Sequence, residues 1–559
     1  MLFVPNALEM AHTQASQLSQ TAGEPGVARR TPPVRMGLLG FGLLLFVVSF
    51  AGALRTADRS RYTDEFLWQA RSQQFASGLV NGRPSEMTAY SVTEADASTS
   101  ITMPGVPTMW VGTSVIFAEC AVDRSGGFRQ CVEGSEGPSL PHAHLAMAAF
   151  GAALIVALWA LSRRLIGSQV AGVSAALMAT APFLTTLRTM FHTDSLVMAF
   201  SLIGFVALCR CLELVKSERR PLLMAAVAGL ALAASMLTKL SAVAIVPAVA
   251  GVVCWAAVRT WRQLPKVDVA SVRFRQLVAS PLAKSVAVVI VVAVGTVLVF
   301  WPALWADPSR QVAALRSSAQ LSGAGHDQFF RGEITTAPPW YFFGWVVAFR
   351  VTPWVFVGLV LIPLVAIARR ADPRWWIFVG FCAAQVLVLG MSAKKFDRYG
   401  AALVAGVIIL VVVSADLLLG ERLRAWGNHR LRSLAWAAFV LVLVVHSQAV
   451  AGRGFAYFNP AVGGLEAASS QMMVSWGEAR FVSDDWLERR YGDEPYVVCR
   501  VKAGQMDCPE GPGSKVFVTY VGNTQRGAQV MPNAASPPWT KVDTYVLDDV
   551  EMIQFWEGE

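Results

Sequence analysis

Residues 36–54 read MGLLGFGLLLFVVSFAGAL, an apolar run without a single charged side chain. A run of this kind cannot leave its backbone unpaired inside a bilayer, so it must close its own hydrogen bonds as a helix. A hydrocarbon core of about 30 Å takes roughly 20 helical residues, and by that rule about eleven such runs are present. They lie near 36–54, 143–161, 168–187, 191–213, 221–238, 240–258, 284–304, 352–368, 375–392, 400–419 and 433–451. The composition agrees: 54% of the 559 residues are hydrophobic and 15% are charged, which is unusual for a soluble chain. The reading is a mainly α, polytopic membrane protein. The segment near 340–350 is a candidate interfacial helix.

Lys and Arg set the orientation, because they concentrate in loops on the cytoplasmic side. Arg163 and Arg164, then Lys216, Arg219 and Arg220, then Arg259, Arg262 and Lys266 all fall in alternate loops. Arg369, Arg370 and Arg374 continue the series, as do Arg422, Arg424, Arg430 and Arg432. Eleven spans then put the N-terminus inside and the C-terminus outside. The net charge of +9 is read as this topological bias. No exposed basic domain is evident, so nucleic acid is not a partner. "AGA" at 51–53 resembles a signal-peptidase site, but the run is long and about 35 polar residues precede it.

Three parts follow: a disordered cytoplasmic tail (1–35), a membrane domain (36–451) with outer loops at 55–142 and 305–340, and an extracytoplasmic C-terminal domain (452–559). In the last, "QMMVSWGEARFVSDDWLERRYG" has helical spacing, while "PYVVCRV", "KVFVTYV" and "TYVLDDVEMIQFW" read as short strands. It is a small α/β unit. Cys120 and Cys131 share the first outer loop, and Cys499 and Cys508 flank a turn. Both pairs face an oxidising space on this topology and are disulfide candidates.

The chemistry gathers on the outer side. "TDEFLWQARSQQF" places Asp64 and Glu65 at the start of a helix with apolar residues at 66, 67, 70 and 75. Successive helical residues diverge by about 100°, so both carboxylates cannot address one atom. Acids at a helix start also have a plain explanation, since negative charge favours that end. The same holds for Asp194 in "LRTMFHTDSLVMAF", with Arg188 and His192 nearby. Cations are scarce on this side by the charge rule, yet Lys239 lies in "SMLTKLSAV" and Lys394, Lys395 and Arg398 lie in "SAKKFDRYG". Snorkelling to headgroups explains some of these. A phosphate site explains them better, because ionisable groups at membrane depth are costly and usually functional.

Carboxylates and cations at the mouth of a membrane bundle suit sugar transfer from a lipid phosphate. Cations neutralise the departing phosphate, and one carboxylate takes the proton of an acceptor hydroxyl. A single displacement inverts the anomeric centre, unlike the two-carboxylate retaining route.

At these residues the chain resembles the membrane glycosyltransferases of the dolichyl-phosphate-mannose protein mannosyltransferase type, glycosyltransferase family 39, of GT-C fold, in their bacterial and archaeal form. The matching stretches include "TDEFLWQARSQQF", "MPGVPTMWVG", "LRTMFHTDSLVMAF", "LTKLSAVAIVP", "VFWPALWADP", "KKFDRYGAAL" and "YFNPAVGGLEAASSQMMVSWGEA", in family order from about residue 60 to 480. The resemblance implies an active site on the outer face of a plasma membrane and a polyprenyl-phosphate-linked hexose or pentose as donor. It implies that Asp64 is the catalytic carboxylate, Glu65 its motif partner and Asp194 the second acidic position. Lys395, Arg398 and Tyr399 match a stretch near the donor phosphate, with Lys239 and Lys394 joining on charge, and His326 in "GHDQFF" matches a loop histidine. Met103 stands where the family pattern has a histidine. No large soluble domain of the eukaryotic kind is evident, so the acceptor stays open: protein hydroxyl, lipid or glycan. No cofactor is expected; a divalent metal is possible but unsupported, since no tight His and carboxylate cluster is present. The rival reading is a transporter for a lipid-linked or anionic substrate, which would carry its ionisable groups near the midplane in repeated halves.

Overall fold

A computed structural model of the chain describes residues 34–57, 62, 64–90, 103–123, 127–216, 221–265, 270–425, 429–476, 480–502, 505–527 and 539–558. The tail read as disordered lies outside them, Val34 and Arg35 excepted. Residues up to Leu43 form one compact unit, the beginning of the apolar helix Val34–Ala57, and Leu44–Glu559 form the other.

The described chain is mainly helical and is built to cross a membrane. Seven helices are long and apolar enough to do so, or nine if each of two bent pairs is one span. The eleven expected runs are all helical, but not all are full spans. Ser168–Thr180 and Pro182–Thr189 meet at 66°, and Ala438–Val450 bends by 98° into Arg453–Val462. The first break falls at Pro182, which lacks an N–H and disfavours helix in the residue before it. The second contains Gly454 at φ 53° and ψ −126°. Leu222–Thr238 is only 17 residues long, and Pro353–Ile367 is also short. A further apolar helix, Val106–Val122, sits in a segment read as loop, because 17 residues fall just below the length that marks a span. The 340–350 segment is a helix, Phe342–Arg350.

Asp194–Lys216 is the central helix and is buried along nearly its whole length. Leu140–Ile166, Leu222–Thr238 and Ala401–Ala425 pack around it. Close packing is set by small residues: a Cβ on Gly229 would meet the Val289 carbonyl oxygen at 2.4 Å. The two ends of the bundle are distinct. Arg374 joins the Ile166 carbonyl and Asp416 at one end. At the other, Gly105 N donates to the Thr238 carbonyl and Thr189 Oγ1 to that of Ala53. Trp68, Val106, Met109, Met147, Phe191, Phe200 and Trp301 form an apolar core there, and Met103 packs against it.

The C-terminal sheet has five strands in the order β4-β3-β5-β7-β6. An earlier hairpin supplies β1 (Gln328–Phe330) and β2 (Glu333–Thr335), and the sheet itself β3 (Tyr496–Lys502), β4 (Gln505–Asp507), β5 (Ser514–Tyr520), β6 (Trp539–Leu547) and β7 (Val550–Gly558). Only β3 and β5 pair in parallel. "TYVLDDVEMIQFW" folds as two strands, since Asp548 and Asp549 turn at φ 46° and 62°. Trp486 of the helix Arg480–Tyr491 stacks on Phe555, 4.2 Å between centroids. Met472 and its neighbours are extended, not helical: Met472 bridges Phe330 and Arg331 N donates to the Gln471 carbonyl. That sheet-like pairing overrides the local helical spacing. Cys120 is bonded to Cys131 and Cys499 to Cys508.

Gly105 shows how tightly the mouth is built. Its φ is 60°, and a Cβ there would lie 2.1 Å from the Trp68 ring. Gly82 has a similar φ of 64° and nothing within 4 Å. Gly82→Ala should therefore lose only the left-handed conformational cost, about 1–2 kcal/mol. Gly105→Ala should lose clearly more, read as a larger fall in the thermal midpoint of the detergent-purified protein.

Candidate active site

The buried carboxylate of Asp194 is the hub. The helix Pro182–Thr189 ends, residues 190–193 turn the chain, and Asp194 opens the central helix, where the N-terminal dipole favours an anion. Its Oδ1 accepts from Lys239 Nζ at 2.5 Å. Its Oδ2 lies 2.9 Å from His192 Nδ1 and 3.3 Å from Arg398 Nε. Lys239 also sits over the Tyr399 ring, 3.9 Å from its centroid. Three chain segments, at 192–194, 239 and 398–399, thus meet at one anion.

Asp64 faces the same cluster from the side. It occupies the N-cap of Glu65–Val80 but makes no capping hydrogen bond. Its Oδ2 lies 3.6 Å from Arg398 Nη2 and 3.8 Å from His192 Nε2. Unlike Asp194, its side chain stays 32% exposed. Glu65 points elsewhere, as helical divergence requires. It is buried and accepts from His144 Nε2 at 2.7 Å, Phe191 N at 2.9 Å and Tyr62 N at 2.9 Å. Glu65 ties the acidic helix to the turn before Asp194.

Arg398 is positioned from both faces. Its guanidinium stacks 3.4 Å from the Trp476 ring centroid. Its neighbour Asp397 is held by Arg350, whose Nε and Nη2 reach one carboxylate oxygen at 2.8 and 2.5 Å. Arg350 Nη1 meanwhile donates to the Phe455 and Tyr457 carbonyls. Lys394 has no carboxylate within 4 Å among the described residues, and its ammonium lies 5.8 Å from the Phe396 ring. Lys395, grouped with it by sequence, is spent elsewhere: Nζ donates to the Pro338 carbonyl at 2.6 Å. Arg188 likewise stays out of the cluster and donates to the Met178 and Ala179 carbonyls, bracing the helix break at 181. His326 packs edge-on against Phe396, 5.8 Å between centroids.

Electrostatics sharpen the picture. Burial holds the His192 imidazole below its usual value, and Lys239 and Arg398 add to that against the pull of Asp194. The ring stands edge-on between Trp68 and Trp476. Burial, and then Arg398, also lower the Lys394 ammonium. Asp194 Oδ2 and Arg398 Nε answer each other at 3.3 Å, whereas His192 Nε2 is buried without a hydrogen-bond partner, 3.8 Å from Asp64 Oδ2. Among the described residues no group of three or more His, Cys, Asp or Glu is arranged to hold a metal ion.

Three contributors went unread in the sequence: His144, Arg350 and Trp476. A lone Arg in the apolar stretch "FFGWVVAFRVTPWV" was a signal for Arg350. Nothing local distinguishes Trp476 from any other tryptophan, because its role depends on a fold-back to Arg398.

Residues 137–301 match the model of the family described as dolichyl-phosphate-mannose-protein mannosyltransferase. That segment holds His144, His192, Asp194 and Lys239. Among solved structures, the chain is similar to ArnT from Cupriavidus metallidurans bound to undecaprenyl phosphate, at 16% identity, covering 82% of this chain and 73% of that one, with a TM-score of 0.45. It is also similar to the archaeal oligosaccharyltransferase AglB from Archaeoglobus fulgidus, in complex with an inhibitory peptide and a dolichol-phosphate. There the identity is 12%, the coverage 82% of this chain and 59% of that one, and the TM-score 0.46. No curated protein matches the chain.

Lys239 and Asp194 are buried partners, so removing one strands the other. Lys239→Met should destabilise the protein by about 3–5 kcal/mol, the range for breaking a buried pair. Adding Asp194→Asn should restore much of that loss. Denaturation midpoints of the two single variants and the double variant provide the check.

Proposed function

We propose that the chain is a membrane glycosyltransferase that moves a sugar from a polyprenyl-phosphate-linked donor to an acceptor hydroxyl, with inversion, on the extracytoplasmic face. The observation that carries this reading is the meeting of Asp64 and Arg398 at one mouth, 3.6 Å apart, with Asp64 still partly exposed. The family match over residues 137–301 supports the same class.

Each residue has a role on this reading. Asp64 is the base: the acceptor oxygen attacks the anomeric carbon, the bond from that carbon to the phosphate oxygen breaks, and the hydroxyl proton passes to the Asp64 carboxylate. Arg398 and Lys394 neutralise the charge that grows on the leaving phosphate. Asp194 is a positioning residue, holding Lys239 and Arg398 while its own charge is consumed by them. Glu65 positions the helix that carries Asp64. An apolar cavity of about 440 Å³ lies beside the mouth, lined by Val106, Trp110, Phe150, Phe200, Leu237 and Phe300. Leu237 is two residues from Lys239, so the cavity suits the first isoprenes of the donor.

The orientation rests on the Lys and Arg bias of the opposite loops. The acceptor is a protein hydroxyl, a lipid or a glycan, and the sugar a hexose or pentose. A transporter would release no polyprenyl phosphate from such a donor, so product release by the purified protein separates the two classes.

Asp64→Asn should cut turnover by about 10²–10⁴-fold, the usual worth of a general base, with donor affinity close to that of the unsubstituted protein. Retention of most of the activity would remove Asp64 from the base role. Arg398→Ala should raise the KM for donor well above any change in the KM for acceptor; equal shifts would count against a phosphate contact.

A further inference from the structure

We propose that the C-terminal domain is part of the donor site, with Arg526 supplying a cation to the phosphoryl group of the lipid. The inference rests on the glycosyltransferase reading and assigns the domain a role in it.

A series of contacts brings Arg526 to the mouth. Trp476 lies on the Arg398 guanidinium. Immediately before it, Ser475 abuts the helix Val521–Gln525, so closely that a Cβ on Gly522 would lie 2.6 Å from the Ser475 carbonyl oxygen. Gln525 fastens the same helix down: its Oε1 accepts from Val474 N, and its Nε2 donates to the Ser469 and Met472 carbonyls. Met472 in turn bridges Phe330 in the hairpin that follows His326. On the other side of Arg526, a Cβ on Gly527 would touch Ile334 of that hairpin at 3.3 Å. Arg526 is thus clamped between the Trp476 segment and the long outer loop.

Its own bonding leaves its charge available. Nε donates to the Gly522 carbonyl at 3.2 Å and Nη2 to Asn523 Oδ1 at 2.5 Å. Both acceptors are neutral, and among the described residues no carboxylate comes within 4 Å. The charges that act on it electrostatically include those of Arg398 and Asp64, which are residues of the mouth, and that of Asp327, next to His326. Lys394 and Lys395 likewise have no carboxylate within 4 Å among the described residues, and Lys395 Nζ is turned to the Pro338 carbonyl. Asp194 pairs with Lys239, which leaves Lys394 and Arg526 without a close countercharge. Two uncommitted cations beside an exposed carboxylate fit a phosphoryl dianion next to a base. The guanidinium fork suits phosphoryl oxygens and the ammonium adds a point charge.

The test uses the purified full-length protein in detergent and undecaprenyl monophosphate as the probe, with undecaprenol and inorganic phosphate as the comparison arms. Arg526→Ala should weaken undecaprenyl monophosphate binding by about tenfold, the worth of one charge-assisted hydrogen bond. Arg526→Lys should recover part of that, undecaprenol binding should not move, and inorganic phosphate should compete weakly. Lys541→Ala removes a charge paired with Glu551 elsewhere in the domain and should leave binding unchanged. Unfolding midpoints equal to that of the unsubstituted protein exclude a folding effect, and the conservative Lys variant carries the test if the Ala variant is unstable. If Arg526→Ala and Arg526→Lys bind undecaprenyl monophosphate as tightly as the unsubstituted protein, the inference falls and the glycosyltransferase reading stands. If inorganic phosphate competes as well as the lipid, the lipid assignment falls. If the unsubstituted protein does not bind the lipid phosphate at all, both fall.

Discussion

Everything at the mouth depends on one buried anion. Asp194 sits at a helix N-terminus, shut away from water, and is stabilised there by Lys239, by the helix dipole and by Arg398. A carboxylate in such a place is expensive unless it is paired. Pairing it draws in side chains from the turn at 192, the junction at 239 and the hairpin at 398. The ion cluster therefore holds three chain segments in register and, by doing so, sets where Asp64 stands.

Asp64 and Asp194 show two uses of one functional group. Asp194 is surrounded by its partners and is committed to them. Asp64 has Arg398 and His192 nearby, at 3.6 and 3.8 Å, yet keeps access to solvent. A carboxylate has to be free to accept a proton, so on the proposed reading exposure separates the base, Asp64, from Asp194, which positions the cations. Glu65, next in sequence to Asp64, is committed in a third way, to His144 and the backbone of Phe191. The clamp of Arg350 on Asp397 extends the same logic outward, because it fixes the residue next to Arg398.

Much of this was legible in the chain. Runs of apolar residues declared helices, because a bilayer allows little else. Asp64, Asp194, Lys239 and Arg398 stood out because charge at membrane depth is rare. Other expectations failed for identifiable reasons. Arg188 and Lys395 carry the right charge in the right neighbourhood, but each finds a nearer backbone carbonyl, at Met178 and Ala179 or at Pro338. Composition shows a charge and cannot show which carbonyl lies within its reach. The span count drifted because Pro182 breaks a run that hydropathy reads as continuous and because Leu222–Thr238 and Pro353–Ile367 are shorter than full spans.

By itself the sequence determined that the chain is a membrane-crossing helical protein with a small α/β domain at its C-terminus, and which charged residues break the apolar pattern. Hydrophobic run length and charge scarcity are local properties, readable one window at a time. Only the tertiary structure decided which of those charges meet. Residues 64, 194, 239, 398, 476 and 526 converge through contacts spanning hundreds of positions, and such contacts depend on how helices pack and where the chain folds back. That folding back of residues 457–476 turns Trp476 onto Arg398 and sets Ser475 against the helix Val521–Gln525 of the C-terminal domain.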